Sequence, residues 1–492
     1  MSRSLNLMLR PVAALLVTAF AAGAWALTPG VDAPPEPGTP RPLVVPAFEE
    51  AKLPNGVRVV VAPRHALPIV SVSLHLRLGA AADTDGHAGL ASLTAALRTK
   101  GATRSGKALD ATQIARQAEA LGSTLDSAAD WRGSALTMTV ATSKLADATA
   151  LIADATLHPT LSEAELGRLR EQTADALKLS LSDPMALAGL AARRAWWGAS
   201  VFGGSTTPAS LARIQRKDVL AFHQQQLRPE LATLVVSGDV TLEQAVALAT
   251  RQLGAWKGNR MALPEARNEP ASAATPATVL VNLPGAGQSG VVVMAPSVAY
   301  DAPDRRVAQV AGAVLGGGYS ARLNQEVRIK RGLSYGASAG QDFQAVGGTL
   351  SAATQTNNAT AAQVVELMRG EVVKMGEAVP AAEELDARKA TLVGNFGRQI
   401  ETTGGLSAVA MDLIARGRPL SDAQKHAPEV MAVTAEQVRS YAAGHWTQAS
   451  LRTLVVGDLA AAGDALKKLD DKALVLDAAQ LDLEAPGLAK KP

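Results

Sequence analysis

The chain repeats itself once, and that repeat constrains its fold more than any other feature. "LATLVVSGD" at 231–239 returns as "LRTLVVGD" at 451–458. An amphipathic stretch precedes each block, "RKDVLAFHQQQL" in one case and "AEQVRSYAAGHW" in the other, with Phe222 and Tyr441 in matching places. Further upstream, "HPTLSEAELGRLR" matches "AVPAAEELDARKA" and pairs Pro159 with Pro380 and Leu166 with Leu385. The offsets all fall between 219 and 221. Solenoid repeats run about 20–50 residues, so a period this long implies two homologous domains instead.

Each half reads in the same order. A strand pair comes first: "GVRVVVAPR" with "IVSVSLHLRLG" in one half, "TVLVNLP" with "SGVVVMAPS" in the other. β-branched runs and alternation mark these as strands. A helix follows at 86–99 or 303–315, then a hairpin region, long helices and a closing strand. Strands grouped around longer helical runs predict an α+β fold. Each domain is expected to be an antiparallel-rich mixed sheet with helices on one face, forming half of a clam-like chamber. The boundaries follow from breaks in the pattern. Residues 27–47 are a proline-rich leader, and 257–277 are polar, rich in Ala and Pro, and read as a linker. The two domains are then 48–256 and 278–470, with 471–492 expected as a tail.

The first 26 residues carry Arg3 and Arg10, an apolar run over 11–23 and the small-x-small site Ala24-Trp25-Ala26. This is the pattern of a secretory signal peptide, and the apolar run is short for a membrane anchor. The expected product is a periplasmic chain without an integral membrane segment. Removal of 1–26 lowers Lys+Arg from 48 to 46 against 45 acidic residues, so neither a basic nucleic-acid surface nor a polyanion partner is implied. Cysteine is absent, which excludes disulfides, thiol chemistry and a lipid-modified cysteine.

Chemistry concentrates in "PDRRVAQVAGAVLGGGYSARLNQEVRIKRGLSYGASAG". Gly316, Gly317 and Gly318 end one helix and form either a flexible substrate loop or a tight turn between helices. A second helix is expected from Ser320 to Lys330, with Leu323 and Val327 on its apolar face and Gly332 at its C′ position. A strand starts near Ser334. Arg328 in the last helical turn and Tyr335 at the strand start can converge at one end of the sheet, as a donor pair for a carbonyl oxygen. Spacing alone fits equally an exposed helix-terminal arginine and a sheet-packing tyrosine.

This segment resembles the C-terminal-half signature of the insulinase/pitrilysin/mitochondrial-processing-peptidase family of zinc metallopeptidases. The likeness extends to "LPNGVRVVV", "GGSTTPASLARI" and the duplication itself. The resemblance implies that Arg328 and Tyr335 contact substrate and the developing oxyanion. Active members carry H-x-x-E-H on a helix of the first domain, where two His bind zinc and the Glu is general base. Aligned on Gly89-Leu90-Ala91, those five positions read Ser92, Leu93, Thr94, Ala95 and Ala96. The place of the third ligand aligns with Ala176, with Glu171 and Asp175 nearby. None of the 7 histidines is spaced to replace the motif, and His75 and His87 are scattered. The resemblance therefore implies a chain that holds no cofactor, with zinc in a partner. The expected assembly is a heterodimer with a homologous subunit bearing H-x-x-E-H, acting on a peptide or unfolded polypeptide. A peptide-binding scaffold without a role in catalysis is the alternative.

Overall fold

The computed structural model describes residues 43–490 except 85, 105, 260 and 264–268. The expected signal peptide, most of the leader and part of the linker lie outside the described residues. Among the described residues no helix is long and apolar enough to cross a membrane.

The strands are β1 (Glu49–Lys52), β2 (Arg58–Pro63), β3 (Ile69–Arg77), β4 (Gly101–Arg104), β5 (Lys107–Asp110), β6 (Asp126–Ala129), β7 (Gly133–Ala141) and β8 (Ala232–Gly238) in the first half. The second half adds β9 (Thr278–Asn282), β10 (Gln288–Ser297), β11 (Ser334–Gln344), β12 (Gly347–Asn357), β13 (Arg452–Gly457) and β14 (Leu474–Asp477). The first six-stranded sheet has the order β1-β2-β8-β3-β7-β6, and the second has β14-β9-β13-β10-β12-β11. Position by position the two orders correspond. In both, an inner parallel pair (β2 with β8, β9 with β13) is followed by antiparallel strands. Only the outer strand differs: β1 runs antiparallel to β2, whereas β14 runs parallel to β9. The stretch expected as a tail therefore contributes a strand.

The helices that matter in the first half are α1 (Leu90–Leu97), α2 (Leu145–Leu157), α3 (Glu163–Ser182), α4 (Pro184–Trp197) and α5 (Leu242–Leu253). In the second half they are α6 (Arg305–Gly316), α7 (Ala361–Lys374), α8 (Ala382–Ile400) and α9 (Thr403–Ala415). Alternation along β3 sends Val70, Val72, Leu74 and Leu76 into a core with α2 and α5. Along β10, Val291, Val293 and Ala295 enter the equivalent core with α6 and α7. These are the helix-covered faces that the patterning anticipates.

The other face of each sheet is covered from across the molecule. Helix α4 of the first half lies on the second sheet, where Leu187, Ala191 and Trp197 meet Val292, Met294 and Val456. Helix α9 of the second half lies on β3 and β8 of the first sheet. Gly290 on β10 permits the first approach, because a Cβ there would lie 2.6 Å from the Pro184 carbonyl oxygen. The second approach is polar at its start. The Ser71 hydroxyl lies 2.6 Å from that of Thr139 and 3.1 Å from that of Thr403, and Ser407 donates to the Ser237 hydroxyl at 3.0 Å. A buried Leu or Trp side chain contributes about 1.5–3 kcal/mol, against about 1 kcal/mol net for a hydrogen bond. The α4 seam is therefore held by apolar burial, and the start of the α9 seam by paired hydroxyls.

Candidate functional site

Helix α1 occupies the stretch where the zinc motif is missing. Leu90, Leu93 and Leu97 pack against Leu166 of α3 and Phe222, which fixes the helix by its apolar face. Asp83 caps its start, accepting the Gly89 and Ala91 amides at 2.8 Å each. Burial raises the Asp83 carboxyl to about 6, against these hydrogen bonds, which lower it. Ser92 is exposed, Ala96 half-buried and Ala176 on α3 exposed, while Ala95 is buried at 1 % exposure. One serine hydroxyl is the only side-chain heteroatom that these four positions offer. Zinc takes imidazole, thiolate or carboxylate ligands, so the residues present do not fit it.

The scattered histidines do not compensate. His75 is buried on β3, and desolvation lowers it to about 4. His87 lies 4.0 Å from Asp218. Among the described residues no group of three or more His, Cys, Asp or Glu could hold a metal ion.

A cleft of about 740 Å³ opens beside α1, lined by Ser92, Asp83, Trp131, Arg193 and Glu484 among others. The last of these comes from the stretch expected to fray. Glu484 accepts from the Thr207 hydroxyl and from Arg213, both at 2.5 Å, and the buried Arg194 donates to the Leu483 carbonyl at 2.8 Å. No local pattern signals this contact, since its partners lie more than 270 residues apart.

The segment carrying Arg328 and Tyr335 is built differently. Gly316 closes α6 against β11, and a Cβ there would lie 2.2 Å from the Ala339 nitrogen. Gly317 is packed closely on Ala313, and a Cβ on Gly318 would lie 3.0 Å from the Arg388 guanidinium. The helix expected over Ser320–Lys330 forms as a short α-turn, Arg322–Asn324, running into a π-helix, Gln325–Ile329. Leu323 and Val327 are fully buried as anticipated. Gly332 has φ 63°, and the next amide, that of Leu333, donates to the Val327 carbonyl. Such wide turns recur at functional sites because they re-aim a side chain.

Polar contacts hold this segment from both sides. Arg322 grips Glu384 of α8 through two hydrogen bonds of 2.9 and 2.8 Å. Arg388 of α8 donates to the Ser320 hydroxyl at 2.5 Å. Lys330 and Arg331 both pair with Glu326. Arg328 is left with no acceptor among the described residues. Its guanidinium sits 4.8 Å from the ring centroid of Tyr335 and 5.0 Å from that of Tyr319. Tyr335 is the second residue of β11 and is 91 % exposed; Tyr319 is 65 % exposed. The structure thus brings Arg328 and Tyr335 together, on a cleft of about 520 Å³ floored by Gly316, Gly318, Gly336 and Ala337. Tyr319 is the member that sequence reasoning missed. Its signal was available: the chain has only 4 tyrosines, and this one directly follows the glycine run.

Residues 58–188 match the family model for the insulinase family, peptidase M16, and residues 213–392 match that for the peptidase M16 inactive domain. A protein of Mycobacterium leprae named as an uncharacterized zinc protease is 27 % identical over 302 residues, 61 % of this chain and 67 % of that one. A non-peptidase homolog, YmxG, of Helicobacter pylori is 26 % identical over 132 residues, 27 % of this chain and 31 % of its own length. Among solved structures, a peptidase M16 inactive domain from Pseudomonas fluorescens superposes with a TM-score of 0.75 at 22 % identity, over 84 % of this chain and 98 % of that one. Two family models lying one after the other along the chain, and a shared two-halved fold, lead to one conclusion: the chain belongs to the insulinase, or peptidase M16, family.

Proposed function

We propose that this chain is the non-catalytic, substrate-binding subunit of an exported heterodimeric zinc metallopeptidase. A homologous partner bearing H-x-x-E-H would supply zinc and the general base. This chain would supply Arg328 and Tyr335, whose N–H and O–H groups donate to the scissile carbonyl oxygen as it gains charge. The observation that carries the reading is the state of Arg328. It is a cation with no acceptor among the described residues, held between two exposed tyrosine rings at the mouth of a glycine-floored cleft. A glycine floor lets a peptide backbone come close, and preformed donors need no reorganisation as charge develops. The family model for the second half, that of the M16 inactive domain, supports a chain without peptidase activity of its own. Export to the periplasm rests on the pattern of the first 26 residues.

The test is a mixing experiment. The mature chain alone should contain no zinc and cleave nothing. Mixed with the H-x-x-E-H-bearing homologue of the same organism, it should form a heterodimer that cleaves unfolded polypeptide. Stoichiometric zinc and cleavage by this chain alone would sink the proposal. Assembly without any gain in cleavage would favour the scaffold reading.

A further inference from the structure

We infer that Tyr319 is a third ligand-contacting residue of this cleft, and that Asn324 is the positioning residue that holds it there. The inference rests on the peptide-binding reading above and extends it to residues that nothing so far assigns.

The geometry is specific. Arg328 has an aromatic ring on each side, with centroids at 5.0 Å for Tyr319 and 4.8 Å for Tyr335. A guanidinium held between two ring faces keeps its N–H edge free for an acceptor lying in its own plane. One ring would leave the long side chain to swing; two confine it. Tyr319 also lines the cleft itself, so its ring reaches whatever the guanidinium binds.

Tyr319 belongs to a turn rather than to a regular element, and something must hold it in place. Asn324, only 4 % exposed, does so with both ends of its amide. Its Nδ2 donates to the Tyr319 carbonyl at 2.6 Å, and its Oδ1 accepts the Ala337 amide at 3.1 Å. One side chain thus ties the Tyr319 turn to the strand that bears Tyr335, and so sets the gap into which Arg328 fits. The Arg388–Ser320 contact, one residue further on, anchors the same turn to α8. The ligand class follows from the donors and the floor. It is an extended peptide, offering a carbonyl or terminal carboxylate to the guanidinium and its backbone to the glycines.

The test uses the full mature chain and fluorescein-labelled casein, an unfolded polypeptide, with binding read by anisotropy. Tyr319→Ala should weaken binding by about fivefold, the size of one cation–π and stacking contact. Tyr319→Phe, which keeps the ring, should bind like the parent. Tyr319 is largely exposed, so thermal unfolding should not move. Asn324→Asp keeps the acceptor for Ala337 but removes the donor to the Tyr319 carbonyl. It should weaken binding in the parent and add nothing in the Tyr319→Ala background, a non-additivity that mere loss of stability would not produce.

Arg328→Ala separates the two claims. If it abolishes binding while Tyr319→Ala leaves binding intact, Tyr319 has no role and the peptide-binding reading stands. If Arg328→Ala binds casein as the parent does, or the parent binds none, both claims fall. Equal losses in Tyr319→Phe and Tyr319→Ala would overturn the ring-stacking assignment. Additive losses from Asn324→Asp and Tyr319→Ala would overturn the positioning role of Asn324.

Discussion

Helix α1 follows the first strand pair of its half, and the Gly316–Tyr335 segment follows α6, the matching helix of the other half, yet the two regions use side chains in opposite ways. On α1 the inward residues form an apolar seam, while the positions aligned with the two His and the Glu of the family motif hold Ser92, Ala96 and Ala95. Nothing polar is asked of those positions, and alanine is the best helix former. In the second half the polar groups are satisfied by one another: Arg322 by Glu384, Ser320 by Arg388, Asn324 by Tyr319 and Ala337. The outcome of that network is to hold Arg328 against the rings of Tyr319 and Tyr335, with no hydrogen-bond acceptor for its guanidinium among the described residues. An apolar seam needs no function beyond folding. A polar network that ends in a guanidinium without an acceptor is what the proposed peptide site would use.

The sharpest way to break the comparison is to give the first half back what it lacks. Helix α1 still packs against α3, and Ser92 and Ala96 lie one turn apart on the helix. If only side chains were lost, Ser92→His, Ala96→His and Ala176→Glu together should take zinc from none to one equivalent per chain, read by metal analysis after dialysis. No zinc in the triple variant would mean that the backbone frame has moved as well.

The next effect is on turnover. In the reconstituted complex, Tyr335→Phe should lower kcat by ~10²–10³, the usual consequence of removing one donor from an oxyanion site. Tyr335 is 91 % exposed, so assembly by size-exclusion chromatography should be unchanged. Full activity in that variant would move the second half's segment to the same status as α1.

Much of this was legible in the sequence, and the limits have physical causes. The strands and the duplication could be read because β-branched alternation is a local signal and the same blocks recur at a nearly constant offset. Arg328 in the last helical turn and Tyr335 as the second strand residue were placed correctly for the same reason. The π-helix was not foreseen, since α- and π-turns bury the same residues, here Leu323 and Val327. The exchange of α4 and α9 between sheets is a tertiary contact with no local signature. The segment beyond residue 470 reads as a tail, but β14 gains its order from pairing with β9, and Glu484 from reaching Thr207 and Arg213.

The smallest expected effect is on stability, and it separates the two regions by pH. Asp83, which caps α1, is raised by burial to about 6 from an ordinary value of 3.8. Between about pH 4 and pH 6 the folded chain therefore keeps a proton that the unfolded chain has already released. The folded state binds more protons in that window, so this group's contribution to stability falls as pH rises through it. Raising the carboxyl from 3.8 to about 6 corresponds to a contribution on the order of 3 kcal/mol. Asp83→Asn still accepts one amide but cannot titrate, so its urea midpoint should lack this downward slope. His75 acts in the opposite sense: lowered to about 4, it makes the folded state more stable as pH rises toward 6.5. The informative quantity is therefore the difference between parent and Asp83→Asn at about pH 4 and pH 7, in which the His75 contribution cancels. A difference that does not change with pH would show that the carboxyl capping α1 titrates in the folded chain as it does in the unfolded one. In that case the start of α1 would be more open to water than its packing indicates, and its contrast with the exposed Arg328 cleft would narrow.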